Sequence, residues 1–242
     1  MYGHRARIGY TSPPAATEIF PYEFYLVAPE GVTLIVTSLA IFEMTAEEID
    51  RSYDISLRAA REQAKAGADV VVFGGVPINT SRGFGNVDDL IRETAAEVGV
   101  PVTTSLNSQM AGLKAMGAKK VAVVHPFDDE DAGPKRTFKG RLEGAGFEYV
   151  GHAGAGYQAV DLGRIPEGVA IELGRKARRE HPEADTILIS CPHWAVAKQI
   201  EPMERELGIP VVTSGQSIVW NAMRMAGIDD RIDGFGRLLR EH

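Results

Sequence analysis

The sequence is poor in cysteine: Cys191 is the only one among 242 residues. One cysteine excludes a disulfide within the chain and fits a reducing compartment, so we expect a cytoplasmic protein. There is no Cys-x-x-Cys pair, and the six histidines show no close metal-ligand spacing, which argues against zinc.

The sequence also lacks the features of nucleic-acid and membrane proteins. The net charge is −7 and no basic cluster occurs, whereas phosphate recognition needs dense Lys and Arg. No apolar run is long enough for a bilayer, and Arg5 and Arg7 interrupt any signal-peptide stretch. A composition of 44% apolar and 24% charged residues is typical of globular proteins. We therefore expect a small-molecule partner and leave the oligomeric state open.

Motifs for nucleotide cofactors and for serine hydrolases are missing as well. No Gly-x-Gly-x-x-Gly opens a helix, no Walker loop occurs, and Gly83-Phe84-Gly85 lacks the rest of the dinucleotide fingerprint. The Gly-x-Ser-x-Gly of hydrolases is absent too. What remains is thiol chemistry without a cofactor.

What the sequence does contain is an internal repeat. Residues 68–77 copy residues 184–193 from a shared Ala-Asp pair onward, and Gly75 falls where Cys191 stands. Residues 99–108 likewise copy residues 208–217. The repeat predicts two related lobes. Residues 1–117 plus 215–242 form the first, and residues 118–214 form the second, which carries the cysteine.

Strand and helix patterns alternate along both copies. Predicted strands cover 6–11, 32–39, 70–73, 100–103, 120–124, 148–150, the segment before Cys191 and 209–212; predicted helices cover 45–65, 88–98, 107–116, 137–145, 167–180, 195–207 and 216–226. This order predicts an α/β fold of two pseudo-symmetric, flavodoxin-like lobes, each a parallel sheet with helices on both faces. Ligands of such sheets bind beyond the carboxyl ends of the strands, so we expect the active site in a cleft between the lobes.

Of three connecting segments, two allow two interpretations each. The proline-rich stretch 12–18, with Pro14, is either a rigid connector or a pocket wall. The Gly- and Ala-rich stretch 151–163 is predicted to be a mobile loop. The acidic stretch 126–131 could bind a metal, although helix-capping acids are favoured.

Cys191 is the candidate catalytic residue. It follows an apolar strand, opens a turn, and precedes a helix predicted to begin just beyond it. A helix N-terminus and the imidazole of His193 would both favour the reactive thiolate. A buried, inert cysteine is the alternative. His193 could shuttle the thiol's proton, or it could point to solvent or cap the helix. Trp194 is expected in the core or a cleft wall.

The residues 190–194 resemble the Cys-Thr-His-Tyr motif of glutamate racemases. The whole chain resembles the aspartate/glutamate racemase superfamily, in the branch of arylmalonate decarboxylase and maleate cis-trans isomerase. The supporting stretches are Ile8-Gly9, Pro13-Pro14-Ala15-Ala16, Thr45-Ala46-Glu47, Ala68-Asp69-Val70-Val71, Arg82-Gly83, Gly117-Ala118-Lys119-Lys120-Val121-Ala122 and Ile209-Pro210-Val211-Val212.

The resemblance implies a reaction. Racemases and maleate isomerases of the superfamily carry one cysteine in each lobe, whereas arylmalonate decarboxylases keep the second-lobe cysteine and have glycine at the first position. Gly75 and Cys191 match the decarboxylases. The resemblance thus implies decarboxylation of a malonate-like acid without a cofactor. Backbone N–H groups of the two turns would stabilise an enediolate, and Cys191 would protonate it. The alternatives are an isomerase or racemase that uses Cys191 with a partner such as His193, and a binding protein without catalysis.

The chain departs from the decarboxylase pattern at several positions. Val76 and Pro77 replace two hydroxyl residues, Phe127 replaces a tyrosine, and Pro192 replaces a glycine and has no N–H to donate. The pocket asparagine of maleate isomerases is replaced within Pro14-Ala15-Ala16. Asn79, Thr80, Ser12 or His193 could supply the missing donors. The resulting candidate set is Cys191 and His193 for catalysis, and Pro14, Gly75, Val76, Asn79, Phe127 and Pro192 for substrate binding.

Overall fold

A computed structural model describes residues 2–15, 17–43, 45–128 and 132–242 of the chain. Its eight described strands form two parallel sheets, ordered β2-β1-β3-β4 and β6-β5-β7-β8. The strands are β1 Ala6–Pro14, β2 Val32–Ile41, β3 Val70–Phe73, β4 Val102–Thr104, β5 Lys120–His125, β6 Glu148–Gly154, β7 Thr186–Ile189 and β8 Val211–Thr213. The predicted α/β fold with two parallel sheets is confirmed.

Helices connect the strands throughout. They are α1 Ile19–Val27, α2 Ala46–Lys65, α3 Val76–Asn79, α4 Val87–Val98, α5 Ser105–Ala115, α6 Ala132–Gly144, α7 Val169–Glu180, α8 Ile200–Leu207, α9 Ser214–Met225 and α10 Arg237–Glu241. Short 3-10 helices cover Phe84–Asn86, Ala159–Arg164 and Ala197–Gln199. Within the described ranges, no helix is both long and apolar enough to cross a membrane.

The chain divides into two compact units, one per sheet. Unit 1 contains residues 1–108 and 218–230, and unit 2 contains residues 109–217 and 231–242. The predicted lobes gave the whole C-terminal segment to the first lobe, whereas residues 231–242 belong to unit 2. The reason is packing: Leu238 and Leu239 are fully buried, and the backbone N–H of Arg237 donates to Glu204 of α8 at 2.8 Å.

The repeat extends beyond the strands to the side chains that join neighbouring helices. Arg61 of α2 forms a two-pronged ion pair with Glu97 of α4, and Arg175 of α7 forms the same pair with Glu206 of α8. Both glutamates stand two residues before the glycine that ends their helix. A bidentate arginine contact therefore recurs at the same glutamate position in both units.

Each sheet is covered by apolar side chains, as expected for parallel strands. In unit 2 the core cluster joins the β5 and β7 strands to Trp194, which is 1% exposed. In unit 1 a cluster around Val71 and Phe73 packs against α2 and α4. Trp194 is therefore a core residue, in agreement with one of its two predicted places.

Two segments differ from their predictions. The first strand is predicted to end at residue 11 with a connector over 12–18, but β1 continues to Pro14 and helix α1 follows, because Phe20, Phe24 and Val27 share one buried helical face. The stretch 151–163 is predicted to be a mobile loop, yet β6 runs to Gly154 in register with β5, and a 3-10 helix follows.

The alternative that the acidic stretch 126–131 binds a metal concerns mainly residues 129–131, which lie outside the described residues. In the part of the chain that the structure describes, no three His, Cys, Asp or Glu side chains form a group that could hold a metal ion.

Candidate active site

The candidate residues lie on two equivalent turns, one after β3 in unit 1 and one after β7 in unit 2. After β3, the N–H of Gly74 donates to the carbonyl of Thr11 in β1 at 3.0 Å. After β7, the N–H of Ser190 donates to the carbonyl of Val124 in β5 at 2.8 Å. These two bonds fix the register of the repeat, so the residue that follows each of them occupies the same position in its unit.

Gly75 and Cys191 are those residues, and both have a left-handed backbone. Their φ angles are 75° and 108°. Glycine reaches this region at little cost, whereas for cysteine it is strained by about 1–3 kcal/mol. Among the described residues only Cys191 and Ala40 are non-glycine residues with positive φ. Strained backbone conformations of this kind cluster at functional sites, so Cys191 is a candidate functional residue.

The same register pairs the other predicted substrate-binding residues. Pro14 follows Thr11 by three residues in β1, and Phe127 follows Val124 by three residues after β5. The set Pro14, Gly75 and Val76 of unit 1 thus corresponds to Phe127, Cys191 and Pro192 of unit 2.

Both sets stand where strand order reverses in each sheet. β1 and β3 are neighbours at the centre of the first sheet, with β2 added beyond β1 and β4 beyond β3. β5 and β7 are arranged in the same way between β6 and β8. At such a switch point the connections leave towards opposite faces of the sheet and open a crevice beyond the carboxyl ends. Each set therefore lies at the place where its own sheet would bind a ligand. The predicted cleft between the lobes stays a prediction.

The surroundings of Cys191 differ from the prediction in one respect. No helix begins just beyond it: a turn is followed by the 3-10 helix Ala197–Gln199, and α8 begins only at Ile200. Instead the N–H of Cys191 donates to the hydroxyl of Ser214, the first residue of α9, at 3.1 Å. Cys191 is partly exposed and packs against the core cluster of unit 2.

Backbone N–H donors are distributed unequally between the two turns. In unit 2 the N–H groups of Ser190 and Cys191 are already bonded, and Pro192 has none. In unit 1 the first bond of helix α3 runs from the N–H of Ile78 to the carbonyl of Gly75, so α3 offers no acceptor to the N–H groups of Gly75 and Val76. Both turns were expected to donate backbone N–H groups to an oxyanion. The Gly75 turn of unit 1 is the better source of such donors, because fewer of its N–H groups are already bonded.

Side chains proposed as substitute donors are mostly engaged within unit 1. Asn79 is 3% exposed, and its amide nitrogen donates to the carbonyl of Gly74 at 3.3 Å. Its oxygen is buried without a hydrogen-bond partner among the described residues. Thr80 donates to the carbonyl of Val76 at 2.8 Å, and the hydroxyls of Ser12 and Thr17 lie 2.6 Å apart. Asn79 therefore stabilises the Gly75 turn through its bond to the carbonyl of Gly74.

His193 is buried and does not point to solvent. Desolvation lowers its pKa from 6.5 to about 4, so the ring is neutral at pH 7. Its Nε2 has no hydrogen-bond partner within the described part of the chain. A neutral imidazole cannot stabilise a thiolate as an imidazolium would, which removes one of the two reasons for expecting Cys191 as thiolate.

Phe127 is held by its own loop. Its ring stacks on His125 with centroids 6.4 Å apart, and its carbonyl accepts from the N–H of Gly156 at 3.0 Å. Sequence reasoning missed His125 and Ser214. The copied Thr-Ser pairs at 104–105 and 213–214 were the available signal for Ser214.

Two surface depressions of unit 1 lie away from these turns. One of about 420 Å³ runs between α2 and α4, beside Tyr53 and Arg82. The other, of about 430 Å³, borders Tyr22 and Tyr25 on α1. Neither is lined by a residue of the candidate set.

The chain is similar to known proteins in sequence and in fold. The sequence matches the family model described as arylmalonate decarboxylase over residues 8–239. The chain belongs to the arylmalonate decarboxylase family. It is 29% identical over 236 residues to the arylmalonate decarboxylase of Bordetella bronchiseptica, covering 97% of this chain and 96% of that protein. It is 22% identical over 228 residues to the maleate isomerase of Geobacillus stearothermophilus, covering 88% and 86%.

A crystal structure of arylmalonate decarboxylase has the same fold. The two superpose with a TM-score of 0.85 at 27% identity, over 98% of this chain and 100% of the other. The chain is thus placed among enzymes named as decarboxylases and isomerases.

Proposed function

We propose that the protein is a cofactor-independent decarboxylase of a malonate-like, 2-substituted dicarboxylic acid, with Cys191 protonating the enediolate intermediate. The observation that supports the proposal is the pair of equivalent turns that holds one thiol: unit 2 has Cys191 at the repeat position where unit 1 has Gly75. Membership of the arylmalonate decarboxylase family supports the reaction class.

The first step breaks the bond between the α-carbon and one carboxylate. CO2 leaves, and the electron pair stays on the substrate as an enediolate. The N–H groups of Gly75 and Val76, which α3 leaves without an acceptor, would stabilise the developing charge. Asn79 assists by holding the carbonyl of the preceding Gly74.

The second step forms the new C–H bond. The enediolate carbon takes the proton of the Cys191 thiol, and the resulting thiolate is reprotonated from water. An ordinary thiol, with a pKa near 8.5, is mostly protonated at pH 7, as this role requires. The neutral, buried His193 fits a protonated thiol better than a thiolate–imidazolium pair.

An isomerase is the second candidate, because the family relatives include a maleate isomerase and because Val76 and Pro77 remove the hydroxyls of the decarboxylase pattern. Such a reaction would use Cys191 with a partner other than cysteine, for which His193 is the nearest in sequence.

A substrate panel separates the two candidates. Disubstituted malonates, maleate, aspartate and glutamate are incubated with the wild type and with Cys191→Ser, and released CO2 and isomerised product are measured. The proposal expects CO2 from a malonate with the wild type and its loss in the variant. Isomerisation without CO2 supports the second candidate. Binding without turnover in either protein would indicate a non-catalytic binding protein and contradict both.

A further inference from the structure

We propose that Ser214 is a positioning residue for Cys191: its hydroxyl holds the cysteine backbone in the left-handed conformation that directs the thiol. The inference rests on the proposed function for its catalytic consequence, and its structural part can be tested without a substrate. Nothing in the sequence pattern alone assigns Ser214 a role.

The contact that carries the inference is the hydrogen bond from the N–H of Cys191 to the hydroxyl of Ser214, at 3.1 Å. Ser214 is fully buried and its bond to Cys191 is partly buried, which limits the access of water to this contact. A partly buried N–H that loses its acceptor is destabilised. The bond therefore favours the one backbone conformation of Cys191 in which the N–H reaches Ser214.

Ser214 itself is held in a fixed position. Thr213, which precedes Ser214, and Gln216, which follows it, form a reciprocal capping box. The N–H of Gln216 donates to the Thr213 hydroxyl at 3.1 Å, and the N–H of Thr213 donates to the Gln216 amide oxygen at 3.3 Å. The Gln216 amide nitrogen also donates to the carbonyl of Phe235 at 2.7 Å. The start of α9 is thus tied both to β8 and to the C-terminal segment.

The other unit shows why this support is needed at Cys191. Ser105 occupies the equivalent position at the start of α5, but its hydroxyl donates to the carbonyl of Phe73 at 3.3 Å and leaves the Gly75 turn alone. Gly75 adopts positive φ without steric strain, because glycine has no Cβ. Cys191 has a Cβ, and a strained φ persists only where its surroundings enforce it. The two equivalent serines thus form different hydrogen bonds: Ser105 donates to Phe73, and Ser214 accepts from Cys191.

The test compares Ser214→Ala with the matched control Ser105→Ala, which removes an equally buried serine hydroxyl at the equivalent position. We expect Ser214→Ala to lower kcat by about tenfold or more, because small displacements of a reacting group cost up to about 100-fold. KM should change by less than about threefold, because substrate binding is not the affected step. The enantiomeric excess of the product should fall, because a displaced thiol protonates less selectively. Ser105→Ala should keep the wild-type kcat and enantiomeric excess.

A second pair of variants guards against a general loss of structure. Ser214→Thr keeps the hydroxyl, and Ser214→Val has the same shape without it. Retention of kcat and enantiomeric excess in Ser214→Thr with loss in Ser214→Val supports the inference. Equal behaviour of these two variants, or equal effects of Ser214→Ala and Ser105→Ala, would overturn it.

Alkylation of the thiol by iodoacetamide gives a readout that needs no substrate. Cys191 is the only cysteine, so the mass shift of the intact protein reports on it alone. We expect the alkylation rate of Ser214→Ala to differ from wild type by about fivefold or more, since the rate depends on the accessibility and environment of the sulfur, while Ser105→Ala alkylates at the wild-type rate. If no malonate is decarboxylated, the proposed function fails, but a selective change in alkylation still supports Ser214 as the positioning residue. Equal rates in all three proteins would refute it.

Discussion

At the scale of single residues, the backbone of Cys191 gives a stability prediction that separates function from folding. Its φ of 108° favours glycine over any residue with a Cβ. At ordinary positions Gly is less stable than Ala, so the sign should reverse here. We expect Cys191→Gly to be more stable than Cys191→Ala by about 1 kcal/mol. Urea unfolding of the two variants measures the difference. Both lack the thiol, so the comparison isolates the backbone, and a more stable Cys191→Ala would contradict the strain.

His193 gives a pH-dependent prediction. Its pKa is about 4 when folded and 6.5 when unfolded, so between these values the unfolded chain binds more protons. The neutral ring's contribution is complete above pH 6.5 and is lost as the pH falls towards 4. The two pKa values correspond to about 3 kcal/mol of unfolding free energy. We expect the stability difference between wild type and His193→Gln to shift by about that amount, in favour of the variant, from pH 7 to pH 4.

Urea denaturation at pH 4, 5, 6 and 7 measures the shift for His193. If His193→Gln showed the same pH slope as the wild type, the ring would not be buried in its neutral form.

At the scale of elements, Glu204 ties three segments of unit 2 together. Its carboxylate on α8 accepts from the N–H of Val211 at the start of β8, at 3.0 Å, and from the N–H of Arg237 at the start of α10, at 2.8 Å. Burial raises the pKa of this carboxyl. Glu204→Ala leaves two N–H groups without an acceptor, and we expect it to lower the unfolding free energy by about 3 kcal/mol.

The amide of Arg237 should also exchange hydrogen faster in Glu204→Ala, because the start of α10 loses its anchor. Glu201→Ala is the control on the same helix: Glu201 pairs with Arg240 at 2.8 Å near the surface, so its loss should cost less. Equal destabilisation by the two variants would show that Glu204 acts only through helix charge.

Most of the elements could be predicted from the sequence, and the failures have common causes. Apolar runs such as Val70–Phe73 identify buried parallel strands directly. The predicted helix 45–65 begins at the right place: Thr45 is the N-cap of α2, and its hydroxyl accepts from the N–H of Glu48 at 3.2 Å. Helix α1 was missed because it contains Pro21 and many aromatic residues, and because its nine residues give only a short apolar pattern of helical period. The helix after Cys191 was predicted too early, because Pro192 opens a turn and not a helix.

At the scale of the whole molecule, the candidate site was predictable because the repeat aligns its parts. The copied Ala-Asp stretches gave the equivalence of Gly75 and Cys191 before any coordinates. The pairing of Pro14 with Phe127 needed the strand register, since the first strands share little sequence. The burial of His193 and the bond to Ser214 depend on contacts between distant segments, which no local pattern encodes. The two units therefore differ at one equivalent position, where unit 2 has a thiol and unit 1 has glycine.

That asymmetry predicts the stereochemistry of the reaction. A thiol stands in only one of the two equivalent turns and Gly75 has no acid to offer, so we expect the proton to be delivered to a single face of the carbon. With a disubstituted malonate in D2O, the product should carry one deuterium at the α-carbon, in a single configuration. Its enantiomeric excess should not decline on prolonged incubation, because racemisation needs an acid or base on each face. Chiral chromatography and NMR measure both, with spontaneous decarboxylation in the same buffer as the racemic control. Racemic product from the enzyme would show that water, and not Cys191, supplies the proton.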